Sequence, residues 1–305
     1  YEMQRSLVGS EMCIRDRVRS EHGIQHNAQV KLYPDGSAVV SVYDRALMRE
    51  TGWEARGARP HAGRRAGALC GEEAERDAAA TSEESLQRAR RRARAAVYDI
   101  ATATGFDYFV TLTVSPEKLD RYDAVTVLHK LNTWLDNQVR RKGLAYVLVP
   151  EYHKDGAIHF HALFNAALPV VDSGTLAVPG HDKPRKARSA AQRAEWLARG
   201  AQVVYNLPSW RWGWSTAVML HGDRDAAIGY VCKYISKSDA KIGGRWYYSG
   251  GDLRKPDVLA VDLDFEQAAE LGEVYEVAEM GCRGVRLRIR KECLDETMGK
   301  LSRFA

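Results

Sequence analysis

The stretch LAYVLVPEYHKDGAIHFHALF, residues 144–164, reads as two β-strands folded about a tight turn. Leu144 to Pro150 and Ile158 to Phe164 are dense in β-branched and aromatic side chains, and Lys154-Asp155-Gly156 between them has the composition of a hairpin loop. Side chains alternate along a strand. Ile158, Phe160, Ala162 and Phe164 therefore make an apolar face, while His159 and His161 project together from the opposite one. A three-residue loop with Gly156 in the left-handed conformation places Glu151 directly across from His159 on that same face. Two imidazoles and a carboxylate in this register are a candidate site for one divalent cation with coordination positions left open. His153 shares the face and is a reserve ligand.

Working outward, Tyr108 to Val114 (YFVTLTV) is a further strand, ended by Ser115-Pro116. Asp123 to Lys142 carries Val127, Leu128, Leu131, Leu135 and Val139 at helical spacing, with Arg140 to Lys142 in the last turn and Gly143 as the stop. Residues 165–210 read as an insert. Within it Lys183 to Arg199 is basic, six Lys and Arg against one acid, and reads as an excursion outside the core. Trp214 to Leu220 is a strand, and a helix starting at Asp223 or Asp225 runs to about Ser238. The order strand, helix, strand, strand, insert, strand, helix predicts an antiparallel α+β domain over residues 95–256 rather than a parallel βαβ sheet.

Four flanking segments complete the division. Residues 18–55 hold a hairpin, QVKLYPDGSAVVSVY at 29–43, turning at Pro34-Asp35-Gly36. Residues 56–94 are rich in Ala, Arg and Glu, with ten arginines and six acids, and read as a flexible or loosely helical linker or basic arm. Residues 257–305 form an acidic C-terminal segment; 257–280 contain eight acids and no base, so charge alone marks a boundary near Pro256. The first seventeen residues resemble translated read-through of a sequencing adapter and are set aside from fold reasoning.

The chain has 305 residues, 45 basic and 40 acidic, for a net charge of +5. Residues 105–256 hold 21 basic and 14 acidic residues, a balance of +7 that the whole-chain figure conceals. No run of apolar residues is long enough for a membrane span. The five cysteines are scattered with no CxxC pair, which argues against a disulfide framework or thiolate zinc site and suits a reducing cytosol.

The second chemical feature is Tyr230-Val231-Cys232-Lys233-Tyr234-Ile235-Ser236-Lys237, two overlapping Tyr-x-x-Lys units. On a helix Tyr230 and Tyr234 share a face, and Lys233 and Lys237 lie within a turn of a tyrosine. Only about one free tyrosine in a thousand is phenolate at neutral pH, so a nucleophilic role requires a neighbouring charge. The plain alternative is an amphipathic helix with a half-buried tyrosine pair and solvated lysines. Trp210, Trp212, Trp214 and Trp246, with Arg211 and Arg245, are candidates for stacking on bases and contacting phosphates.

Phe109-Val110-Thr111-Leu112-Thr113, then Glu151 with His159-Phe160-His161, then Tyr230-x-x-Lys233-Tyr234 resemble, in order, motifs 1, 2 and 3 of the HUH endonucleases. The doubled tyrosine is similar to the rolling-circle replication initiators (Rep proteins) of small single-stranded-DNA phages. The resemblance spans residues 105–256. It implies a five-stranded antiparallel sheet with flanking helices, and Mg²⁺ or Mn²⁺ held by His159, His161 and Glu151. It further implies nicking of a single-stranded origin (hairpin) DNA by Tyr230 or Tyr234, assisted by Lys233 and Lys237, with Arg211, Trp212, Arg245 and Trp246 on the DNA. The expected products are a 5′-phosphotyrosyl link and a free 3′-hydroxyl. No GxxxxGK[ST] motor motif occurs, so unwinding and synthesis would fall to a host helicase and polymerase in a bacterial cytoplasm. Three alternatives stay open: an HUH relaxase, a single-strand transposase, or a non-catalytic origin-binding protein. Relaxases tend to place the tyrosine before the histidine pair, and transposases usually carry one tyrosine. A third histidine in the strand would suggest a nucleotidyl hydrolase, but position 163 is Leu.

Overall fold

The computed structural model describes residues 25–44, 48–49, 82–181, 183–220, 224–237, 241–273, 275–279 and 282–304. In chain order these form β1 (Gln25–His26), β2 (Ala28–Leu32), β3 (Ala38–Tyr43), β4 (Met48–Arg49), α1 (Ser82–Thr104), β5 (Tyr108–Val114), α2 (Ala124–Lys142), β6 (Tyr146–Tyr152) and β7 (Ile158–Phe164). There follow β8 (Val171–Ala177), α3 (Ala190–Ala198), β9 (Gln202–Asn206), β10 (Gly213–Met219), α4 (Arg224–Lys237), β11 (Tyr248–Gly250), β12 (Asp257–Val261), α5 (Phe265–Leu271), β13 (Tyr275–Glu279), β14 (Cys282–Ile289) and α6 (Leu294–Phe304). The chain divides into two compact units, residues 71–255 and residues 1–70 with 256–305. The adapter-like residues 1–17, and residues 50–81 with most of the Ala/Arg/Glu-rich stretch, lie outside the described residues. Residues 82–94 of that stretch are the first half of α1.

The unit of residues 71–255 is α+β, built on an antiparallel sheet in the order β11-β6-β7-β5-β10-β9-β8. One face packs on α2. Val127, Leu128, Leu131, Trp134 and Leu135 of that helix are buried against Val110, Leu112, Leu148, Ile158, Phe160 and Phe164 of the strands. Each such side chain removed from water contributes roughly 1.5–3 kcal/mol. Asp123 starts α2 by accepting from Val125 N (3.1 Å) and Thr126 N (3.2 Å), and Gly143 ends it in the left-handed conformation at φ 70°. The opposite face packs on α1 and α4, with Val97, Ala101, Ile228, Val231 and Ile235 against Val147, Val149 and Leu163. Cys232 Sγ donates to Arg94 O (3.8 Å), joining the two helices.

Seven strands replace the five expected. The additional pair, β8 and β9, comes from the insert, which extends the sheet beyond β10 instead of standing outside the core. The reason is local. β8 (VDSGTLA) is an edge strand, mostly solvent-facing, and its register slips between Asp172 and Thr175. Neither a clean alternation nor a continuous apolar run therefore marks it.

In the other unit, β12-β2-β3-β14-β13 form a five-stranded antiparallel sheet, and β1 and β4 pair separately. The N-terminal hairpin turns at Gly36 (φ 84°), and its Val30 and Val40 pack with Leu287, Ala268 and Leu271. Asn27 ties the two ends of the chain: its Nδ2 donates to Leu263 O (2.6 Å) and its Oδ1 accepts from Leu263 N (3.0 Å).

Candidate active site

β7 lies between β6 and β5, so each side chain on its polar face has a neighbour on both sides. The hairpin register pairs Glu151 with His159, as the Gly156 turn requires, and Gly156 sits at φ 85°. The turn closes through Gly156 N to His153 O (2.8 Å) and His153 N to Ala157 O (2.8 Å). Across β5, His159 pairs with Thr113 and His161 with Thr111; across β10, Thr113 pairs with Trp214. One row on the α4 side of the sheet thus reads Glu151, His159, Thr113, Trp214.

His161 is the most enclosed of these groups. Its Nε2 lies 3.0 Å from Glu151 Oε2 and its Nδ1 3.4 Å from Thr111 Oγ1. Burial, with His159 and Lys237 nearby, pushes its pKa down to about 3. The imidazole is therefore neutral, and the Glu151 contact is a hydrogen bond rather than an ion pair. Neutral imidazole is also the form that ligates metals. His159 is lowered by burial and by His153, whose ring stacks on it at 5.0 Å. Burial raises Glu151, against the pull of Lys237 and His153. Among the described residues no three His, Cys, Asp or Glu side chains are already gathered as a metal would need. Glu151 is engaged with His161, and His153 with Asp155 at 3.2 Å.

α4 lays its two tyrosines over this face, one turn apart. Tyr234 stacks flat on His161, centroids 3.7 Å apart and planes 5° from parallel, and is 7% exposed. Burial raises its phenol well above the ordinary range, and its hydroxyl is hydrogen-bonded to Tyr230. Tyr230 is 47% exposed, its ring edge-on to Phe109 (5.5 Å), Tyr234 (5.0 Å) and His161 (6.5 Å). Lys237 Nζ stands 5.7 Å from the centre of the Tyr234 ring, and Lys233 is exposed on the same helix.

Phe109, Thr111 and Thr113 of β5 complete the site and were not singled out as site residues from sequence. Their signal was present in the alternation of YFVTLTV, whose other residues point to the α2 core. The expected DNA contacts are dispersed. Trp210 is buried and donates to Thr113 O (3.2 Å), and Trp212 is half-buried against it. Trp246 is buried in the α1–α4 layer, which leaves no face for a base. Arg211 is exposed, and the Arg245 guanidinium lies over the Tyr248 ring at 5.7 Å.

Residues 107–239 match the family model of the ORF2-type replication-associated proteins. That similarity points to DNA replication. The match runs from the residue before β5 to just beyond α4, and so contains every side chain of the row and both tyrosines. It covers 133 of the 305 residues (107 to 239 inclusive). Comparison with curated proteins and with solved structures gave no match. No helix among the described residues is long and apolar enough to cross a membrane.

Proposed function

We propose that this chain is a rolling-circle replication initiator of the HUH type, which nicks single-stranded origin DNA through Tyr230. The observation that carries the reading is a half-exposed tyrosine held edge-on to His161, on the face where Glu151, His159 and Thr113 stand in line. Similarity of residues 107–239 to a replication-associated family supports it. The donor chemistry fits Mg²⁺ or Mn²⁺: His161 is kept neutral by burial, His159 is lowered in the same direction, and a carboxylate faces them. Glu151 must leave its hydrogen bond to His161 to join such a set. A cation there would draw charge from the scissile phosphate.

The protein groups do the rest. The Tyr230 oxygen attacks phosphorus and its phenol proton is lost to water. The bond from phosphorus to the 3′-oxygen breaks, and that oxygen takes up a proton and leaves as a 3′-hydroxyl. Burial keeps the proton on Tyr234, so its hydroxyl can donate to the Tyr230 oxygen as charge develops there. Lys233 and Lys237 supply positive charge to the phosphate. The phosphodiester bond is retained as a 5′-phosphotyrosyl link, so a later 3′-hydroxyl can attack it and rejoin strands. Tyr234, to act as second nucleophile, must first come off His161.

Incubation of the purified chain with single-stranded origin DNA and Mn²⁺ should give an adduct that survives denaturing electrophoresis. An adduct formed equally well by Tyr230→Phe would sink the assignment. Mn²⁺ should also raise the thermal midpoint of the wild type, by about 2.7 kcal/mol at a hundredfold excess over Kd. His159→Ala and Glu151→Ala should lose that response; a metal-insensitive wild type removes the metal from the mechanism.

A further inference from the structure

We infer that Trp214 is a stacking platform for a DNA base flanking the scissile phosphate, and that the strand reaches it over the β5–β10 part of the sheet. This rests on the nicking proposed above. Trp214 is 62% exposed, the most exposed tryptophan among the described residues. Its register partner is Thr113, which is itself paired with His159, so the indole stands on the site face. Two strand spacings, roughly 10 Å, separate its backbone from that of His159.

The floor between them suits a nucleic-acid strand. On this face β10 presents Thr216 and Val218, paired with Thr111 and Phe109 of β5. All four are half-buried, whereas the neighbouring Val147, Val149 and Leu163 of β6 and β7 are fully covered by the helix layer. Hydroxyls and short side chains thus line a strip bounded by Tyr230 on the α4 side and Trp214 at one end. Gly213 fixes the platform: a Cβ there would land on Thr113 O and within 2.6 Å of Ser115 N, so β10 and β5 approach too closely for any other residue. Nothing in the packing accounts for so large an apolar ring in solvent. Base stacking does, and it tolerates any sequence because every base has a π-face.

Binding of fluorescent thymidine oligonucleotides to the full chain, measured by anisotropy in EDTA, tests this without cleavage. Trp214→Ala should weaken binding by about 5- to 150-fold, the range expected for one stacked base, and Trp214→Phe should recover most of it. On an abasic oligonucleotide of equal length the wild type should bind more weakly, and Trp214→Ala should add no further loss. Equal losses on both oligonucleotides, or none on either, would overturn the inference. So would a failure of Trp214→Phe to recover binding. Because the assay needs no metal and no nick, a wild type that fails to form the covalent adduct condemns the nicking reading separately.

Discussion

Two tyrosines one helical turn apart meet different surroundings, and that difference orders their roles. Tyr234 lies flat on His161 and is nearly covered, while Tyr230 stands half in solvent. Tyr230→Phe should reduce adduct formation on a first nick to background. Tyr234→Phe should leave a first adduct and impair the subsequent joining, which a strand-circularisation assay reads. Adduct lost equally in both variants would refute this order. The histidines give a second prediction. Free imidazole titrates near 6.5, and His161 is held down at about 3 with His159 also lowered. Between those values the unfolded chain binds more protons than the folded one. The stability that these groups contribute is full above pH 6.5 and is lost as pH falls, at up to about 1.4 kcal/mol per unit for each. Glu151, raised by burial, offsets part of this in the carboxylate range. Denaturant unfolding at pH 5 and pH 7 should show the loss, and His161→Phe should flatten it; an unchanged slope in that variant contradicts the assignment.

The elements differ in how openly their residues announce them. α2 was legible because apolar spacing, an N-cap aspartate and a C-terminal glycine agree, and the structure starts it one residue after Asp123. Asp123→Ala should cost about 1 kcal/mol of stability, measured by chemical denaturation, because two backbone N–H groups lose their acceptor. β5 and β7 were legible to the residue because each is buried on the α2 side and alternates in type. β8 was not, since its Asp172-Ser173-Gly174 segment bulges and faces water. Gly213 was quoted only as part of a Trp-Gly-Trp run; its need for a bare Cα arises where two strands meet. Gly213→Ala should cost about 1–3 kcal/mol, as overpacking does, and should weaken oligonucleotide binding as well by displacing Trp214. A variant of wild-type stability and affinity would show that the strands can separate freely.

At the scale of the molecule, the whole candidate site lies within the unit of residues 71–255. That fragment, produced alone, should fold with a single unfolding transition and form the adduct on single-stranded DNA. Loss of the adduct from a folded fragment would assign part of the activity to the other unit. That second unit joins segments from both ends of the chain in one sheet, which local patterning could not reveal because the pairing partners are more than two hundred residues apart. By itself, the sequence determined the α+β class, the strands and helices that carry the motifs, and the register of Glu151 on His159, since periodicity and turn chemistry act within a few residues. Only the tertiary structure decided that the sheet has seven strands, that Tyr234 is covered while Tyr230 is open, and that Trp214 rather than Trp246 faces the site. Burial is set by which faces meet, and that depends on contacts between residues far apart in the chain.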